Sequence, residues 1–239
     1  ALLVVCEFKG QKVYGARSWL SVGPVNFQPS QLAILSGIMV LGICLSQFRR
    51  LHPMLRIALC GAVAAPPCIL ILKQPDLGSV LVWGPVFLVM LFVGGIPLRY
   101  LAAMILLVLA AIPLVVNFGL KDYQRARIVT FLDPSRDPQG DGWTINQSLT
   151  AIGSGGWDGK GFKAPNTLNE LGFLPSTIVH NDFIFAVIGE QHGFLGGLVL
   201  LSGFALLLIT LVIIAEHARD ELGVLLASGV LALLFAHVF

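Results

Sequence analysis

The feature that most limits what this chain can become is its series of long apolar runs. A helix rises 1.5 Å per residue, so about 20 residues are needed to cross roughly 30 Å of hydrocarbon. Five runs read as complete spans, at about 29–47, 54–72, 78–96, 98–119 and 183–215, and the partial runs 1–6 and 222–239 read as the end of an earlier span and most of a later one. The expected fold is all-α, a polytopic transmembrane helix bundle forming a single partial membrane domain over 1–239. Both ends fall inside apolar runs, ALLVVC and GVLLASGVLALLFAHVF, so the chain is expected to be a fragment. Pro66 and Pro67 fall inside the second span and are expected to kink it. Composition agrees with a membrane protein: 56% of residues are hydrophobic and 12% charged, against about 25% charged in a soluble domain.

A net charge of +2 with no basic tail or block gives no footing for a nucleic-acid partner. Cys6, Cys44, Cys60 and Cys68 have apolar neighbours and no metal-ligand or CxxC spacing, so they read as small buried hydrophobes. Three short loops carry the cations that set orientation: Arg49, Arg50 and Arg56 in the first, Arg99 in the second, His217 and Arg219 in the third. These alternate consistently and are expected on the cytoplasmic side. The other side then holds residues 7–27, the turn KQPDLG and a long extracytoplasmic loop at about 120–181. Counting through Asp182, six basic and seven acidic residues crowd into that loop, 13 of the 28 charged residues in the chain. Loops of this length are often functional lids or binding segments. Within it, Trp143, Ile145, Leu149 and Ile152 recur at helical intervals, which predicts a short interfacial helix.

Several motifs carry two readings each. AIGSGGWDGKGF could surround a phosphate with backbone N–H groups, or serve as a flexible hinge. It is not a Walker loop, because Ser154 and Gly161 stand where that pattern needs Gly and Ser or Thr; Lys160 and Lys163 keep a pyrophosphate contact open. LKQPDLGS places Lys73, Gln74 and Asp76 between two spans, as ordinary turn chemistry or as part of an outer-face site. Arg17 and Trp19 read as an interfacial anchor. Glu190, Gln191 and His192 interrupt the fifth run roughly 12 Å beyond Asp182, a depth at which polar groups should face the bundle interior or a wet cavity. Glu190 sits about 80° around the helix from Asp182, so both carboxylates could border one cavity. Asp182 itself reads either as a helix cap and dipole partner or as a reacting group.

The ordered blocks GARSWLSVGPVNFQPS, QPDLG, YQRARIVTFLDPSRDPQGDGW, QSLTAIGSGGWDGKG, FLP and HNDFIFAVIGE resemble the SEDS family of polytopic membrane proteins, which includes the RodA, FtsW and SpoVE proteins. The resemblance covers essentially the whole chain, and AIGSGG with GKG is similar to the RodA type. Asn181 stands where the family has Thr in H-T-D-F-I-F, and Gln31 and Ile34 stand where Q-P-S-E-x-x-K has Glu and Lys.

The resemblance implies a peptidoglycan glycosyltransferase that polymerises lipid II at the outer face of the cytoplasmic membrane, in cell elongation and cell shape. It implies a class B penicillin-binding protein and other elongation-complex membrane proteins as partners. Asp182 matches the family's essential aspartate and is expected to be the catalytic base. Arg17, Lys73, Gln74, Asp76, Lys160 and Glu190 are the expected substrate-binding residues. A divalent cation, Mg or Mn, is a candidate cofactor, with no protein metal ligands assigned. A lipid II flippase, or a member serving division or sporulation, is the alternative.

Overall fold

The structure, a computed structural model, describes residues 2–13, 16–22, 25–74, 76–119, 122–137, 140–168, 170–173 and 183–238. The chain divides into two compact units, residues 1–107 with 207–239, and residues 108–206. Among the described residues, Pro29–Gln47, Pro53–Lys73, Ile184–Glu216 and Glu221–Val238 are helices long and apolar enough to cross a membrane, while Gly78–Val93 and Leu98–Leu114 are shorter apolar helices.

The first unit contains α1 (Leu2–Lys9), α2 (Pro29–Gln47), α3 (Pro53–Lys73), α4 (Leu77–Val93), the start of α5 (Leu98–Leu114) and α9 (Glu221–Val238). Prolines open α2 and α3, where a missing N–H costs nothing and the fixed φ suits the first turn. At α3 the His52 ring also accepts the Met54 N–H at 3.3 Å. α4 stops at Gly94, followed by Gly95 at φ 80°, a left-handed position that suits glycine. α3 runs as one helix through Pro66 and Pro67. α4 packs on α9 and α2, and α2 on α3 and α9, around a core that includes Ile34, Ile38, Leu41, Met90, Leu91 and Leu225. Small residues let these helices approach: a side chain on Gly37 would strike the Trp83 ring, and one on Gly229 would meet Ile38 and Met90.

Polar contacts sort the helix ends into two groups. At one end Arg56 is buried and donates to the Leu45 carbonyl at 3.1 Å and the Gly94 carbonyl at 2.6 Å, tying the last turns of α2 and α4 to the start of α3. Arg49 pairs with Glu221 at 3.2 Å, which brings the start of α9 to the same end. At the opposite end lie Gln28, Ser30, Gln74, Asp76 and Ser79, and Gln31 approaches His237 to 3.5 Å. The first loop expected to be cytoplasmic, which carries Arg49, Arg50 and Arg56, thus lies at one end of this bundle, and Gln74 and Asp76 lie at the other.

Three short strands differ from an all-helical reading. They form a small antiparallel meander, β1 (Gln11–Val13), β2 (Ala16–Val22) and β3 (Val25–Phe27), with Gln11 opposite Trp19 and Leu20 opposite Phe27. The long apolar segments themselves are helical.

The second unit contains the end of α5, a π-helical stretch at Val115–Gly119, α6 (Asp122–Leu132), a short turn of 3₁₀ helix at Pro134–Arg136, α7 (Asp141–Ser154) and the first part of α8 (Ile184–Glu216). The helix expected around Trp143–Ile152 is α7; α6 is a second helix in the same loop that the periodicity did not signal.

Candidate functional site

The site is organised by a break in α8. Gly193 adopts φ 65° and ψ −162°, which no helix permits. In an unbroken helix the Phe194 and Leu195 N–H groups would donate to the carbonyls of Glu190 and Gln191, four residues back. Here the loop after α7 takes both sides of those two bonds. The Lys160 N–H donates to the Glu190 carbonyl at 2.9 Å and the Gly161 N–H to the Gln191 carbonyl at 3.0 Å. The Gly156 carbonyl accepts the Phe194 N–H at 2.8 Å, and the Trp157 carbonyl accepts that of Leu195 at 3.1 Å. A break in an apolar span is sustainable only when the released groups are satisfied in this way.

The glycines of AIGSGGWDGKG are the points of approach, so the hinge reading gives way to a clasp. A Cβ on Gly155 would collide with the Gly189 carbonyl, one on Gly159 with the Gln191 carbonyl, and one on Gly193 with Gly159 and Trp157. Gly156, Gly159 and Gly161 also take φ of 58°, 82° and 100°, values that side-chain-bearing residues adopt at a cost.

One buried carboxylate fastens the clasp. Glu190 has 0% exposure, and its Oε1 receives the Lys160 ammonium at 2.6 Å, the Leu168 N–H at 2.8 Å and the Ser154 hydroxyl at 3.4 Å. Lys160 also donates to the Asn166 carbonyl at 3.2 Å, and its side chain is 20% exposed. Oε2 of Glu190 is buried without a hydrogen-bond partner among the described residues. Removing one member of a buried pair strands the other, which typically costs about 3–5 kcal/mol. Leu168 in turn packs its side chain on buried Phe183 and Val187. On the outside of the clasp, Trp157 stands edge-on to Phe194 with ring centres 5.1 Å apart.

The structure places the other sequence-derived residues as follows. Lys73 is exposed in the last turn of α3. Gln74 is buried and donates to the Leu3 carbonyl at 2.9 Å. Asp76 caps α4, its Oδ1 accepting the Ser79 N–H at 3.1 Å and its Oδ2 the Ser79 hydroxyl at 2.7 Å and the Gln28 amide at 2.8 Å. Arg17 lies on β2. Asp182 lies outside the described residues. Of the polar trio in α8, Glu190 and Gln191 are buried and His192 is exposed, its ring centre 6.3 Å from that of Phe162. Lys160 and Glu190, assigned separately from the sequence, are partners of each other. Sequence reasoning missed Gly193, Ser154 and Leu168. Gly193 carried a faint signal as a glycine abutting the polar trio, and Leu168 carried none.

A bundle of apolar helices, one of them broken and clasped by an external loop, defines a multi-pass membrane protein. The chain belongs to the family FTSW_RODA_SPOVE, described as "Cell cycle protein", whose sequence model matches residues 1–239. It is 37% identical over 238 residues to "Peptidoglycan glycosyltransferase MrdB" of Escherichia coli, covering 100% of this chain and 64% of that protein. With "Peptidoglycan glycosyltransferase RodA" of Treponema pallidum the identity is 31%, over 99% of this chain and 70% of the relative. A solved structure described as "Structural coordination of polymerization and crosslinking by a peptidoglycan synthase complex" superposes with a TM-score of 0.80 at 32% identity, over 99% of this chain and 65% of that one. The rod shape determining protein RodA of Thermus thermophilus gives a TM-score of 0.65 at 29% identity, over 99% and 60%. This chain therefore spans a little under two thirds of the E. coli relative and of both solved structures.

Proposed function

We propose that the protein of which this chain is part polymerises lipid II into glycan strands at the outer face of the cytoplasmic membrane, as a RodA-type enzyme of elongation and cell shape. What supports the reading most is the similarity, over the full length of this chain, to proteins named peptidoglycan glycosyltransferases. The resemblance to a chain of a peptidoglycan synthase complex supports a class B penicillin-binding protein as partner.

In this mechanism Asp182 takes the proton from the acceptor sugar's 4-hydroxyl as that oxygen attacks the anomeric carbon of the donor. The bond from that carbon to the pyrophosphate oxygen breaks, undecaprenyl pyrophosphate leaves with the electron pair, and the linkage inverts from α to β. A positioned base contributes about 10² to 10⁴-fold, and charge developing on the pyrophosphate needs cationic partners. Arg17 and the exposed Lys73 are the cations proposed for that task. A divalent cation, Mg or Mn, would add positive charge at the pyrophosphate beside them; among the described residues no three His, Cys, Asp or Glu side chains gather as a metal site.

The test is full-length protein with its partner's transpeptidase blocked, supplied with labelled lipid II. Glycan strands are expected, with Asp182→Asn reducing their rate by at least about 10²-fold. Full yield from Asp182→Asn, or a trapped covalent glycosyl-enzyme, would sink the mechanism. One observation favours a second reading: a broken helix in a membrane bundle also suits a transporter. A flippase would move lipid II across a vesicle bilayer without joining it.

A further inference from the structure

Two large aromatic rings stand in the open on the outside of the clasp. Trp157 is 70% exposed and Phe162 72%, although the backbone around them is held to α8 by the four hydrogen bonds at the break. Their ring partners are the residues on either side of Gly193: Trp157 stands against Phe194, and Phe162 lies 6.3 Å from His192. Both rings thus sit at the level of the break along α8. Lys163 completes the group, its ammonium 5.7 Å from the centre of the Phe162 ring. In water such rings leave apolar surface unburied, whereas aromatic side chains with a long cationic one beside them gather where a membrane meets water.

The length of α8 puts that boundary at the same level. From Phe194 to Ala215 the helix carries 22 residues without a charge, about 33 Å of rise, against a hydrocarbon thickness of roughly 30 Å. The stretch Ile184–His192, with the polar trio at its end, then rises out of the hydrocarbon. Exposed Phe194, Leu198 and Val199 begin the lipid-facing surface of α8, and the Trp157 ring continues that surface from the loop.

We propose that the outer face of the clasp is a membrane-interface anchor: Trp157 and Phe162 sink into the headgroup layer, Lys163 reaches back to the phosphates, and the break at Gly193 marks the edge of the hydrocarbon. The partner is the phospholipid surface itself. Asp158 and Lys163 are both exposed and opposite in charge, so the rings, rather than a net charge, carry the contact. The anchor holds the glycine-rich loop at the height where α8 needs its hydrogen bonds, and it does so whether or not the protein joins sugars.

The experiment places full-length protein in nanodiscs of phosphatidylcholine brominated either near the headgroup or near the chain ends, and reads tryptophan fluorescence as the difference between wild type and Trp157→Phe. The shallow bromines should quench the Trp157 signal at least about twofold more than the deep ones, as expected for a ring about 5–10 Å into the boundary. Adding Phe162→Trp to the Trp157→Phe protein moves the reporter, and the new signal should show the same preference. Replacing part of the lipid by phosphatidylglycerol should change neither signal. With Trp157→Ser and Phe162→Ser together, hydrogen exchange over 155–163 should rise on the order of tenfold.

A Trp157 signal quenched by aqueous acrylamide and by neither lipid would leave the clasp in water, and a signal that nothing quenches would mean that protein covers it; either result overturns the proposal. So does stronger quenching by the deep bromines, which would place the break inside the hydrocarbon. Quenching that needs the anionic lipid, or unchanged exchange in the double variant, would overturn it as well.

Discussion

The two units of this chain are held by different forces. In the first, side chains do the holding: Ile34, Ile38, Leu41, Met90 and Leu91 fill the space between helices that small residues bring close. In the second, the described core is as small as Phe183, Val187 and Leu168. There the main chain does the holding, through four hydrogen bonds between a glycine-rich loop and a broken helix and one buried carboxylate. A side-chain core yields by degrees when a volume is changed, whereas a main-chain clasp depends on a few positions that have no substitute.

The sharpest way to break this contrast is Gly193→Val. The new side chain would sit at φ 65° against Gly159 and Trp157, and the second unit should lose about 4 kcal/mol, read as faster exchange over 155–168 with the first unit unaffected. Gly37→Val tests the first unit on its own terms. The added methyls meet the Trp83 ring, so thermal unfolding in detergent should show a loss of about 3 kcal/mol, with helix repacking absorbing part of the clash.

Arg56→Met comes next, at about 2 kcal/mol. It removes the donors to the Leu45 and Gly94 carbonyls while keeping most of the volume. A control within the second unit sharpens the comparison further: Gly153 lies in α7 with open space around it. Gly153→Ala should raise stability by about 0.5–1 kcal/mol, the opposite sign from its neighbour Gly155, where a side chain would strike α8.

The smallest effect is expected at Asp133 in the external loop. The Ser135 hydroxyl first, and then the Arg136 guanidinium, hold its carboxyl below the usual carboxylate range. Stabilisation from this group is present above the unfolded pKa of about 3.9 and is lost as pH falls through the lower folded value. Asp133→Asn should therefore differ slightly from wild type in melting midpoint at pH 7, and the difference should disappear in strong acid.

The helical bundle was legible because apolar runs report burial in lipid directly, and the ordered motifs marked the family. Other features left weaker traces. Gly193 resembles Gly189, Gly196 and Gly197 in sequence, and glycine is frequent in membrane helices, so its place beside the polar trio, which Gly189 shares, marks the break in α8 only faintly. The strands at 11–27 did leave a trace, in short runs bounded by Gly15 and by Gly23-Pro24. An anchor reading of Arg17 and Trp19 passed over it. The Lys160–Glu190 pair joins residues 30 positions apart, and a residue's type cannot reveal whether its partner is a substrate or another side chain.

The exchange of two helix bonds for four loop bonds also sets an order of assembly. The loop is synthesised before the break it covers, so the donors and acceptors that α8 lacks have already been made when residues 190–195 emerge. A span that entered the bilayer without them would carry four open polar groups, each costing several kcal/mol in hydrocarbon. The loop thus completes a helix that its own stretch of sequence cannot complete, and α8 becomes a finished span only once an outside segment has been laid against it.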